Sequence, residues 1–153
     1  METDPKFSHI DEQGRAAMVD VGAKPVSARE ARAEGCIHLQ PETVAAIRGG
    51  SVPKGDVLSV ARVAAIMAAK RTAEWIPLCH ALPLDAVAVE FTLGEDWIRI
   101  EASVTCTAKT GVEMEALTSV AAAALTIYDM CKAVDKTMRI DGIRLLHKEK
   151  KPL

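Results

Sequence analysis

Aromatic residues make up only 3% of this 153-residue chain: two Phe, two Trp and one Tyr. Its core must therefore be assembled from Ala, Val, Ile, Leu and Met, whose short side chains let helices and subunits approach closely. The same scarcity argues against an RNA-stacking surface, because Phe91 and Trp97 are the only aromatics in candidate strands and no RNP-like run accompanies them. An excess of one charge is also missing. With 19 Lys and Arg against 21 Asp and Glu, the net charge of −2 does not suit a general nucleic-acid binder, though it leaves room for a local basic pocket. Cys36, Cys79, Cys106 and Cys131 form no CxxC pair, and no secretory leader is recognisable ahead of them. They read as reduced thiols of a cytoplasmic protein. Long apolar runs are absent too: Arg62, Lys70, Arg71 and Asp129 interrupt every stretch that could approach the ~20 residues needed to span a bilayer, so no membrane association is expected.

What is present fits one globular domain. A chain with 49% apolar and 26% charged residues can remove roughly 70% of its unfolded surface from water at this size. Residues 1–25 mix charges, glycines and prolines without sustained periodicity and are expected to form a mobile N-terminal arm, with a brief extended segment near Met18–Val21. Residues 26–153 are expected to form the single folded domain.

Within it, 27–40 is ambiguous, since Ala28–Glu34 has helical propensity while Ile37 and Leu39 alternate with polar neighbours; a strand is favoured. Pro41 opens a short helix that Gly49 and Gly50 stop. Helical spacing of Val57, Val60, Ala61, Ala64, Ala65 and Ala68 predicts a helix from Lys54 to about Trp75. Alternation through Val87–Leu93 and Ile98–Val104 predicts a hairpin. Thr110 and Glu113 match a capping box opening a helix to about Val134, and Ile140–Leu146 supplies a last strand. This order is that of the split βαβ, ferredoxin-like plan: an α+β sandwich with an antiparallel sheet covered by helices on one face.

Three segments carry candidate chemistry. On the last helix, Met114, Leu117, Ala121, Ala124, Leu125 and Tyr128 form one apolar stripe, while Glu115, Thr118, Ala122, Thr126, Asp129 and Lys136, bordered by Lys132, form another. That second stripe reads either as a solvated face with ordinary ion pairs or as carboxylates and ammonium groups over a floor of small residues with room for a ligand. Lys54-Gly55-Asp56 sits at a helix start where an anion could bind, without the wording of a Walker motif. Pro77-Leu78-Cys79-His80 lies in a loop between helix and strand. Cys79 is more readily a buried small hydrophobe than a nucleophile or zinc ligand, which leaves His80 as the better candidate.

Taken together, these segments resemble the cyclic pyranopterin monophosphate synthase family of molybdenum cofactor biosynthesis. The resemblance is carried by Met18-Val-Asp-Val21 with Lys24, Arg29-Glu-Ala-Arg32, Lys54-Gly-Asp56, Ala69-Lys-Arg-Thr72, Ile76-Pro-Leu-Cys-His80, Lys109–Thr118 and Ala124–Val134. It implies a ferredoxin-like fold and a homohexamer, a trimer of dimers with active sites at subunit interfaces. The implied reaction converts 3′,8-cyclo-7,8-dihydroguanosine 5′-triphosphate to cyclic pyranopterin monophosphate and pyrophosphate. It implies ligand contacts for Leu78, Cys79, His80, Met114 and Glu115, a catalytic role for Asp129, and lysines lining the pocket at Lys54, Lys132 and Lys148. Opening and closing C–N bonds requires a base and an acid, a pairing that Asp129 and Lys132 suit. Pyrophosphate departure requires positive charge, which Lys54, Lys148, His80 and Arg29 could supply. Neither step demands a resident metal or redox cofactor; Mg²⁺ could accompany the triphosphate. A non-catalytic ligand-binding module on the same fold stays open on the residues alone.

Overall fold

A computed structural model describes residues 8–153. The elements run β1 (Ser27–His38), α1 (Pro41–Gly49), α2 (Val57–Lys70), α3 (Thr72–Trp75), β2 (Leu84–Leu93), β3 (Trp97–Ala108), α4 (Glu113–Cys131) and β4 (Arg139–Lys151). All pairings are antiparallel, in the order β2-β3-β1-β4. The expected α+β architecture is thus present, with helices packed on one face of the open sheet. Of the expected arm at 1–25, residues 1–7 lie outside the described residues; Met18 to Val21 adopt no strand, and among the described residues of the arm the only regular pairing is an isolated bridge between Ile10 and Ala16.

The ambiguous segment at 27–40 becomes a central strand because tertiary packing overrides helical propensity. Ala31, Ala33 and Ile37 are buried beneath the helices. Gly35 shares their face at the closest approach of α4, where an added Cβ would lie 2.7 Å from Val120 Cγ1. The opposite face of the sheet is polar: Glu34 receives Arg99 and Arg144, each at 2.7 Å, and Arg99 also reaches Glu101 at 2.8 Å. Exposed pairs of this kind add little stability, but they keep that face compatible with water.

Several boundaries differ from expectation. The helix expected over 54–75 divides in two, because Asp56 caps α2 by accepting from the Ser59 N–H at 3.0 Å and the chain turns again at Arg71 before α3. The capping box at Thr110 does not form. Helix α4 begins at Glu113 after Val112, with no side-chain cap, and ends at Cys131. Strand β4 extends well beyond the expected Ile140–Leu146. Its length is set by register with β1, which runs out to Lys151 opposite Ala28.

The expected apolar stripe of α4 is corrected in phase. Leu125 is 56% exposed, while Ala116, Val120, Ala123 and Ile127 are fully buried against the sheet. Glu115, Thr118 and Ala122, expected on a polar face, are buried as well. Thr118 shares a 2.7 Å hydrogen bond with Thr72, so this side of α4 packs against the C-terminal end of α2 and against α3. With alanine on every side of the helix, the hydrophobic pattern does not single out which face meets the sheet. Among the described residues no helix is long and apolar enough to cross a membrane.

Candidate active site

The chemistry-bearing residues gather at the two ends of α4. At its C-terminal end stand Asp129, Lys132 and Lys54. Lys132, one turn on, meets Asp129 Oδ1 at 2.8 Å. Lys54, from the loop before α2, donates to Asp129 Oδ2 at 3.4 Å and to the Asp129 carbonyl at 3.1 Å. That second contact draws the Lys54 side chain away from the α2 N-terminus. The α2 N-terminus is already filled by the Asp56 carboxylate, whereas Lys54 extends to the carbonyl-rich end of α4, where a cation is favoured. Each oxygen of the Asp129 carboxylate thus faces one ammonium group. The hydrogen bond and charge of Lys132, aided by Lys54, hold the carboxyl below the usual carboxylate range, and Asp129 in turn raises Lys132. Both groups are solvent-accessible.

The turn that carries Lys132 is fixed from beneath by Asp135, a 1% exposed carboxylate. It accepts from the Gln40 N–H at 2.8 Å, Thr43 Oγ1 at 3.0 Å, and the N–H and Oγ1 of Thr137, both at 2.9 Å. Burial pushes its carboxyl up, but these four donors outweigh burial and leave it lowered. Sequence reasoning missed Asp135. An aspartate between two lysines, Lys132 and Lys136, reads as surface, and two of its four donors, on Gln40 and Thr43, lie more than ninety residues away.

At the N-terminal end of α4 a cavity of about 560 Å³ is lined by Leu78, Cys79, His80, Met114, Glu115 and Lys148, joined by Thr110, Gly111, Glu113 and the arm residues Val19, Val21 and Lys24. The loop after α3, the start of α4 and strand β4 converge here. Lys148 lies 3.4 Å from Glu113 Oε1. His80 Nε2 donates to the Val19 carbonyl at 2.7 Å; because a carbonyl can only accept, that nitrogen carries the proton. Glu115 is 4% exposed, and burial pushes its carboxyl up, with the Glu113 charge adding to the shift. Burial, then Glu115, also pushes the Cys79 thiol up, which makes Cys79 a neutral wall rather than a ready thiolate. Lys24 and Glu113 were not foreseen as lining this cavity; Lys24 was read within the arm and Glu113 as a cap.

Arg29 stands apart from both groups. It projects from β1 toward the β3–α4 junction, where it donates to the Lys109 carbonyl at 3.2 Å, and its Nε is buried without a protein partner among the described residues. The two main groups do not meet within one chain. Glu115 and Asp129 are 14 positions apart on one straight helix, which separates them by roughly 20 Å. Between them, along the outer seam of α2 and α4, runs an apolar groove of about 420 Å³ that includes Met67, Trp75 and Leu125 and has Asp129 at its end. Among the described residues, no cluster of three or more His, Cys, Asp or Glu is arranged to hold a metal ion.

Comparison with known proteins extends over nearly the whole chain. A protein named cyclic pyranopterin monophosphate synthase from Chloroflexus aggregans is 64% identical over 145 residues, covering 94% of this chain and 88% of its own. Proteins of the same name from Thermomicrobium roseum and Roseiflexus castenholzii are 57% and 55% identical, covering 94% and 93% of this chain and 87% and 91% of their own. The MoaC family model matches residues 18–151. That span takes in every element of the sheet and both ends of α4, and the chain belongs to the MoaC family.

Proposed function

We propose that this chain is a cyclic pyranopterin monophosphate synthase of molybdenum cofactor biosynthesis, a lyase of the phosphorus–oxygen type that works by general acid/base catalysis in the cytoplasm. Its substrate is 3′,8-cyclo-7,8-dihydroguanosine 5′-triphosphate, and its products are cyclic pyranopterin monophosphate and pyrophosphate. The observation that carries the catalytic part is the Asp129 carboxylate held between two ammonium groups. A carboxylate kept ionised accepts a proton from the opening purine system; Lys132 beside it is the matching donor. Lys54 neutralises phosphate charge as pyrophosphate departs. The cavity at the other end of α4 receives the ring system, with Leu78, Cys79 and Met114 as walls and His80, Glu115, Lys148 and Lys24 as polar contacts. Arg29 supports it from behind. No resident cofactor is required; Mg²⁺ travels with the triphosphate.

A separation of roughly 20 Å prevents both groups of one chain from serving one reacting centre, since proton transfer requires hydrogen-bond reach. We therefore infer a site completed by a second copy, one chain contributing Asp129, Lys54 and Lys132 and its neighbour the cavity at His80 and Glu115. Such a site requires at least a dimer, and the assembly we propose is a homohexamer, a trimer of dimers. The purified chain should convert the cyclised nucleotide to the pyranopterin with release of pyrophosphate; binding without turnover would instead make it a ligand-sensing module. Mixing inactive Asp129→Asn and His80→Ala chains under subunit exchange should restore a fraction of wild-type turnover, because some interfaces then pair an intact Asp129 with an intact His80. No recovery in exchanged oligomers rejects the shared site.

A further inference from the structure

Residues 8–26 cross the cavity at the N-terminal end of α4, yet none of them is buried, and Met18 is 53% exposed. Hydrophobic burial therefore does little to hold this segment down. Among the described residues, two hydrogen bonds join it to the rest of the chain: His80 Nε2 to the Val19 carbonyl at 2.7 Å, and Lys109 Nζ to the Gly22 carbonyl at 2.7 Å. The second is charge-assisted and the stronger in kind. Both ends of it are prepared. Asp20 Oδ1 accepts from the Gly22 N–H at 2.7 Å and the Lys24 N–H donates to the Val21 carbonyl at 3.0 Å, so 20–24 is a preformed turn with the Gly22 carbonyl free to face Lys109. Lys109, between β3 and α4, has its own backbone held by Arg29.

We propose that Lys109 is a positioning residue for substrate binding: its bond to Gly22 keeps the segment from Val19 to Lys24 against the cavity, so that Val19 orients His80 and Lys24 faces the substrate. Lys109 itself does not line the cavity. The proposal rests on reading that cavity as the substrate site. The test compares wild type with Lys109→Met, which keeps the aliphatic stem and removes the donors, and with Lys109→Arg, which restores a donor. Hydrogen exchange of the ligand-free protein should speed up at least tenfold across 17–24 in Lys109→Met, with the sheet unchanged. KM for the cyclised nucleotide should rise fivefold or more with kcat within twofold, and Lys109→Arg should recover most of both. Unchanged exchange across 17–24 overturns the proposal. So does a loss of protection spread through the sheet, or a fall in kcat at constant KM. Because exchange is read without substrate, it decides the role of Lys109 even if the wild type fails to turn over, an outcome that would sink the enzymatic reading alone.

Discussion

Asp129 has a lysine at each carboxylate oxygen, and that arrangement sets both its charge and its pH range. Asp129→Asn keeps the shape and one accepting oxygen while removing the charge and the proton acceptor, so kcat should fall by several orders of magnitude with substrate affinity nearly retained. Near-normal turnover in that variant would remove Asp129 from the mechanism. The lowered carboxyl stays ionised down to pH values below the usual carboxylate range, so the acidic limb of kcat should lie there in the wild type. Lys132 is the largest cause of the lowering. In Lys132→Ala the Asp129 pKa rises toward its ordinary value, and the acidic limb of whatever rate remains should move to higher pH; a limb that stays put shows that another group sets it. Lys54 and Lys132 should separate kinetically. A lysine that only meets phosphate raises KM when replaced by Ala, whereas one that also moves a proton lowers kcat. Lys54→Ala should thus lose at least tenfold in kcat/KM, mostly through KM, and its substrate binding should weaken less with added salt than that of the wild type.

At the scale of elements, the junction of α1, α4 and β4 depends on one buried carboxylate. Asp135 gathers donors from Gln40, Thr43 and Thr137, and thereby ties the start of α1 to the turn after α4 and the approach to β4. Asp135→Ala leaves those donors without a partner and should destabilise the fold by roughly 3 kcal/mol, measured as a lowered denaturation midpoint at constant slope. Because the folded carboxyl is lowered, its stabilisation is fully present above the unfolded value and is lost as pH falls through the folded one. Acid denaturation of the wild type should therefore include this group, and the gap in stability between wild type and Asp135→Ala should shrink at low pH. A gap constant with pH would assign the loss to packing alone. The same junction carries Lys132, so Asp135→Asn, which alters the donor pattern more gently, should reduce kcat more than it raises KM.

For the whole molecule, the proposed assembly turns on the groove between α2 and α4. Trp75, Leu125 and Met67 are each about half exposed there, and Val60 and Val63 extend the apolar surface along α2. Such a surface is costly to leave in water, and it borders Asp129, where a neighbour must approach for the shared site to form. Leu125→Glu should break the oligomer, seen as a shift to lower mass in sedimentation, and abolish turnover although Leu125 touches no proposed proton-transfer group. An assembled but inactive Leu125→Glu protein, or an active monomer, would contradict the arrangement.

Much of this was legible in the sequence because it depends on local order. Alternation at Val87–Leu93 and Ile98–Val104 gave the hairpin, Pro41 and Gly50 bounded α1, and the segments around Leu78–His80, Glu113–Thr118 and Tyr128–Lys132 carried the family. Pairing Asp129 with Lys132 needed only helical spacing. What the tertiary structure alone decided are matters of distance between remote residues. Which face of α4 is buried follows from the sheet and α2 enclosing a helix whose alanines mark no face. Lys54 caps α4 rather than opening α2 because Asp56 already occupies that helix start. Asp135 is a buried anchor only because Gln40 and Thr43 fold onto it. The gathering of Leu78–His80, Lys148 and the arm at one end of α4, and of Lys54 at the other, is likewise tertiary. Sequence gives residue types and their spacing along one chain, while the convergence of charges depends on how elements far apart in sequence pack together.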